Sequence, residues 1–162
     1  MAWVRGGIRR GLWEKHPVKL EFMKSQTFPM VNTNPRSMKR FPTVAGVHCA
    51  ICRGEFRASD CQVDHIHGNH PLRNMDDLRQ FVEAMIMVKA SDLQMVCKPC
   101  HEVKSYSERK GISFEHAKAI KEAIEICSKK QDKVFLTERG ITPASSAPKR
   151  RLQVEQVLKE GK

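Results

Sequence analysis

The chain has 162 residues, about one domain's worth, and carries 29 Lys+Arg against 18 Asp+Glu for a formal net charge of +11. Its longest apolar stretch, Phe81 to Val88, is too short to span a bilayer and contains Glu83. The first fifteen residues have no continuous apolar core, so neither a membrane span nor a secretory signal is expected. Apolar residues at 40% and aromatics at 6%, beside the basic excess, point to a modest core and a polyanionic partner rather than a membrane.

Residues 1–45 hold nine basic and two acidic side chains. Glycines 6, 7 and 11 and prolines 17, 29, 35 and 42 interrupt every periodic run, so the spacing predicts an irregular basic arm with one short helix around Val18–Lys24. Arg9, Arg10 and Lys15 are interleaved there with Trp3 and Trp13, a pattern suited to nucleic acid. Residues 46–112 hold nine basic and nine acidic side chains and are formally neutral. Within them, Val44 to Ile51 and the segment from Cys61 read as two short strands joined by a knuckle. Residues 75–89 read as an amphipathic helix, with Leu78, Phe81, Val82, Met85 and Ile86 on one face and Asn74 as its cap. A second helix is expected from Pro99 to a stop at Gly111, and a third from Ser113 to about Lys133 with Ala117, Ile120, Ile124 and Cys127 on one face. Residues 142–162 read as a linker, Thr142–Pro148, followed by a basic tail opening on Lys149–Arg151. The predicted organisation is therefore an arm (1–45), a central module (46–112), a helix with connector (113–141) and a tail (142–162). No dimer-forming heptad is evident.

The central module carries the chemistry. Cys49-x-x-Cys52 and Cys97-x-x-Cys100 form a pair of knuckles, and a two-residue spacer lets both thiolates of each knuckle face one ion. Four soft thiolates suit structural zinc, a closed shell with no position for water. Without a secretion signal the cysteines point to a reducing, cytoplasmic setting, which disfavours the disulfide reading. Cys61 and Cys127 are not expected to be ligands.

Between and beside the knuckles lie Asp64-His65 and Cys100-His101. The order C-x-x-C, Asp-His-Ile, then Leu-x-x-Val-Cys-x-x-Cys-His-x-x-Lys resembles the HNH endonucleases, members of the ββα-metal (His-Me finger) nucleases, over Val47 to Lys104. The resemblance implies a small α+β fold, a ββα-metal core stapled by zinc with added helices and basic flanks. It also implies that Asp64 and His101 hold a catalytic divalent ion, Mg²⁺ or Mn²⁺, and that His65 is the general base. The family's middle Asn corresponds to Asp92, which is counted with His65 as a catalytic residue; it can accept the bracing hydrogen bonds of that position but cannot donate them, so it either braces the loop less firmly or approaches the metal. Lys104, one turn beyond His101, is a candidate phosphate contact. The expected activity is metal-dependent hydrolysis of DNA phosphodiester bonds. The alternative is a non-catalytic zinc module that binds nucleic acid.

Overall fold

In the computed structural model, which describes residues 2–68 and 70–161, helices and short antiparallel strands combine in an α+β architecture. The chain divides after His101 into two compact units. The expected boundary at residue 45 falls inside the first unit, and that at 112 inside the second.

The N-terminal segment is not irregular. It forms α1 (Ala2–Gly11), a 3-10 turn (Trp13–Lys15), α2 (Pro17–Ser25) and β1 (Phe28–Val31). Each glycine costs a helix interior about 1 kcal/mol, but Val4 and Ile8, one turn apart on α1, pack against the unit's core and override that cost. The prolines fall where no N–H is needed: Pro17 opens α2, and Pro29 lies on the edge strand of its sheet. Trp13, with 6% of its surface exposed, belongs to the core itself, with Val18, Phe22 and Met23 packed around it.

β1 pairs antiparallel with β2 (Thr43–His48), which pairs with β3 (Glu55–Arg57). Gly46 is required at the β1–β2 crossing, because a Cβ there would lie 2.8 Å from that of Met30. The intervening loop is held by buried Asn32, which donates to the Phe41 carbonyl (2.7 Å) and accepts from the Arg57 guanidinium (2.9 Å). The strand after the first knuckle is therefore β3, not the segment from Cys61. A 3-10 turn, Ala58–Asp60, redirects the chain into β4 (Cys61–His65), which pairs with β5 (Leu93–Cys97) in a separate two-stranded sheet. Alternation along β4 buries Cys61 and Val63, as its period of two requires.

Between β4 and β5 lies α3 (Asp76–Ile86), with Phe81 and Met85 buried and the Asn74 side chain accepting from the Asp77 N–H at 3.0 Å. β5 runs directly into α4 (Lys98–Lys110), which ends at Gly111 with φ +65°. This end matches the sequence expectation.

The second unit is helical. Ser113 caps α5 (Phe114–Ser128), its hydroxyl accepting from the His116 N–H. The expected single helix to Lys133 breaks at Lys130, whose φ is +57°, before α6 (Asp132–Thr137). The buried stripe matches the expected one only in part: Ala117 is buried, but so are Ala119 and Ala123, while Ile124 is 41% exposed. These alanines admit close approach of α7 (Ala147–Glu160), whose Val154 and Val157 share a core with Ala123 and Leu136. The segment read as a linker and tail is thus structured. Arg150 donates to the Asp132 carboxylate at 2.6 Å and to the carbonyls of Ala144 and Ser145, pinning the turn before α7. Arg150 is a clasp, not part of a solvated basic run.

The hydrogen bond from Arg150 holds the Asp132 carboxyl below its ordinary value of 3.8. A depressed carboxylate stabilises the folded state above that value, and the contribution fades as pH falls below it. Asp132→Ala is expected to lower stability at neutral pH by about 1.5–3 kcal/mol, the usual loss for a hydrogen bond between charged groups. Thermal melts at pH 7 and pH 3 check this: the difference between the two proteins shrinks at the lower pH.

Candidate metal centre and basic cleft

The first knuckle is a tight turn at the end of β2. Cys49 N–H donates to the Gly54 carbonyl and Arg53 N–H to the Cys49 carbonyl, both at 2.9 Å, with Arg53 at φ +62°. Ala50 N–H donates to the Met95 carbonyl at 2.8 Å, which fastens the knuckle to β5. The second knuckle is the junction of β5 with the first turn of α4. The sulfurs of Cys49, Cys52, Cys97 and Cys100 lie within 4.8 Å of one another, close enough to hold one metal ion. The Cys52–Cys97 sulfur separation of 3.9 Å fits a tetrahedral ion, since bonds of about 2.3 Å place sulfurs about 3.8 Å apart.

The backbone prepares this site for thiolates. Burial pushes the Cys49 thiol up, but the N–H groups of Cys97, Cys52 and Ile51 directed at its sulfur outweigh burial and bring it down to about 7. The Cys97 donor lies 3.4 Å from that sulfur. Burial pushes Cys97 and Cys100 up, a penalty that a bound divalent cation reverses. Cys61 lies across the strand pair from Cys97 and outside the four-sulfur group. Burial, then the neighbouring thiolates of Cys97 and Cys49, push its thiol up to about 11. Cys127 is on α5 of the second unit and is half-buried.

At the other end of β4 the chain gathers the residues singled out between the knuckles. Asp64 Oδ1 faces His101 Nε2 across 3.8 Å, and Gln94 donates to Asp64 Oδ2 at 3.3 Å. His65 Nε2 lies 3.1 Å from the Ala84 carbonyl of α3. A carbonyl can only accept, so Nε2 is the donor in this contact. The His65 ring also stacks on Trp13, with centroids 4.6 Å apart and planes 27° from parallel. Asp64, His65 and His101 line one cleft of about 680 Å³ together with Arg9, Arg10 and Lys19. Lys19 is buried and paired with Glu14 at 2.6 Å.

Three of the predicted residues are not brought to this cleft. Asp92 uses its carboxylate to accept from the Lys89 N–H at 2.8 Å, and its carbonyl accepts from the Ile66 N–H, so it braces the turn before β5. Asp92 lines a smaller space of about 240 Å³ with His65, His67, His70 and Glu83. Lys15 is exposed on the 3-10 turn and is not among the residues lining the cleft. Lys104 belongs to the second unit and pairs with Glu108 at 2.7 Å. Conversely, the sequence pattern assigns no site role to Lys19 or the Ala84 carbonyl, and marks Trp13 only as an aromatic residue for nucleic acid, not as a partner of His65. The only available signal was an aromatic residue amid basic ones; a backbone carbonyl leaves none.

No protein-family model, curated protein or solved structure matches the chain. Fold and site alone therefore define its class: a small α+β protein with a four-cysteine cluster that could hold a metal ion and a cleft that carries a carboxylate, two histidines and basic side chains.

The natural chain is expected to bind one zinc ion at the four cysteines, and Cys97→Ser to abolish that binding. Because binding energy at such a site is folding energy, melting of the variant is expected more than ~10 °C lower. Metal stoichiometry and calorimetry check both. Unchanged melting would show that the thiols hold no structural metal.

Proposed function

We propose that the chain is a metal-dependent endonuclease of the HNH type that hydrolyses DNA phosphodiester bonds. The observation that carries this reading is the meeting of Asp64, His65 and His101 in one cleft whose wall includes Arg9 and Arg10. The succession of β4, β5 and α4 supports the ββα-metal reading of the core, with zinc on the four cysteines as its staple.

The chemistry follows from what a phosphodiester resists. Its anionic oxygens repel hydroxide and its leaving alkoxide is poor, so cleavage needs a base for water and positive charge near the leaving oxygen. His65 Nδ1 is the acceptor for the water proton, held in that tautomer by Ala84. Asp64 and His101, one carboxylate and one imidazole, would hold the catalytic divalent ion, Mg²⁺ or Mn²⁺. When bound, that ion supplies charge stabilisation at the leaving oxygen. The guanidinium groups of Arg9 and Arg10 suit bidentate contact with backbone phosphate. Asp92 acts as a brace for the strand ends, not as a group at the reacting atoms.

Supercoiled plasmid incubated with the protein and a panel of divalent metals tests the reading. Cleavage is expected with Mg²⁺ or Mn²⁺ and is expected to fall at least ~10²-fold in His65→Ala, the usual contribution of a general base. Arg9→Ala and Arg10→Ala are each expected to weaken binding and reduce the salt slope by about one. Full cleavage by His65→Ala would remove the assigned base. Salt-sensitive binding without cleavage under any metal would favour the non-catalytic module.

A further inference from the structure

We infer that Trp13 is a positioning residue for His65, the indole fixing the plane of the imidazole that the proposed reaction uses as its base; the inference rests on that reading of His65. The imidazole stands at the last residue of β4, where strand pairing ends. Its contact with the Ala84 carbonyl ties down one edge of the ring, and the His70 ring stands nearly perpendicular to it with centroids 6.0 Å apart. The restraint along its plane is the indole, which lies 4.6 Å away at 27°. A base must meet its water within a few tenths of an ångström, and a misplacement of about 1 Å costs on the order of 10²-fold in rate.

The segment that carries Trp13 is anchored for this purpose at several points. Arg5 donates to the His70 carbonyl at 3.3 Å and stacks its guanidinium over Phe81 of α3. His16 Nε2 lies 3.1 Å from the Ile86 carbonyl at the end of α3. Trp13 thus hangs on α3, the helix whose Ala84 carbonyl holds the other restraint. The Ala84 and Trp13 contacts to His65 are thus both referred to α3, and Trp13 itself is 6% exposed, wedged within the core.

The test uses the full chain with zinc bound. In the natural protein the His65 ring protons, assigned by their loss in His65→Ala, are expected upfield of ordinary histidine positions because they sit over an indole. Their absence from that region would overturn the inference without any Trp13 variant. Trp13→Leu is expected to abolish the upfield shift and lower kcat about 10–100-fold, with KM, salt slope and zinc content unchanged. Trp13→Phe keeps a ring plane and is expected to restore most of the rate. Trp13→Met, which fills volume without a plane, replaces the leucine variant if that one does not fold. Trp3→Leu, at an exposed position, controls for loss of a tryptophan as such. An unchanged kcat in a folded Trp13→Leu protein overturns the inference while leaving the nuclease reading intact. If the natural chain cleaves under no metal, the nuclease reading falls by itself. The ring shift and its loss in Trp13→Leu then still decide whether Trp13 holds the imidazole.

Discussion

The convergence of four sulfurs is the constraint on which the rest of the first unit depends. One pair closes the turn between β2 and β3; the other is the point where β5 becomes α4. Holding them together sets the start of α4, and therefore the place of His101 one turn beyond Cys97. The register of β4 is counted from the same point, because Cys61 pairs with Cys97 and Asp64 with Gln94. The 3.8 Å between Asp64 and His101 is thus a consequence of two local counts made from one centre. A chain with few aromatics has limited apolar surface to bury, and a metal ion on the four sulfurs would add free energy that such a core does not supply.

The charge takes on a different meaning once the N-terminal helices are placed. Nine basic side chains against two in the first 45 residues looked like a loose clamp beside a neutral module. Instead Arg9 and Arg10 occupy the last turn of α1, where cations complement the helix dipole, and they face the same cleft as Asp64 and His65. Cations held on a docked helix lose less conformational freedom on meeting a phosphate than cations on a disordered arm. Lys19 behaves differently: buried against Glu14 and near the Trp13 ring, it contributes to the wall's construction before it contributes field.

What could be read in advance was local chemistry. The two C-x-x-C spacings, the 3.6-residue stripe around Phe81 and Met85, and Gly111 as a stop each depend on residues close in sequence. What could not be read depended on partners elsewhere. Alternation along β4 marks a strand but does not say whether it pairs with β2 or β5. Glycines in α1 argue against a helix until Val4 and Ile8 find a core. Thr142–Pro148 has the composition of a linker, and only Arg150 and Gln153, reaching back from α7, make it ordered structure. The sequence pattern places Asp92 with the catalytic residues, and only its bonds to the Lys89 and Ile66 N–H groups show it bracing the turn before β5.

The arm and the centre are therefore not separable parts. Residues that would bind phosphate, Arg9 and Arg10, and the residue stacked on the proposed base, Trp13, lie within five positions of one another on a single segment. Removing that segment would take away charge, a wall of the cleft and a restraint on His65 together, so truncation confounds affinity with rate. Point substitutions divide them, because charge is carried by side chains at the end of α1 and the restraint by one ring on the following turn. In the proposed reading, binding and chemistry would be coupled through Arg5 and His16, which fasten α1 and the following turn to α3. The basic excess that first suggested a partner is, in this fold, also part of the frame around the candidate base.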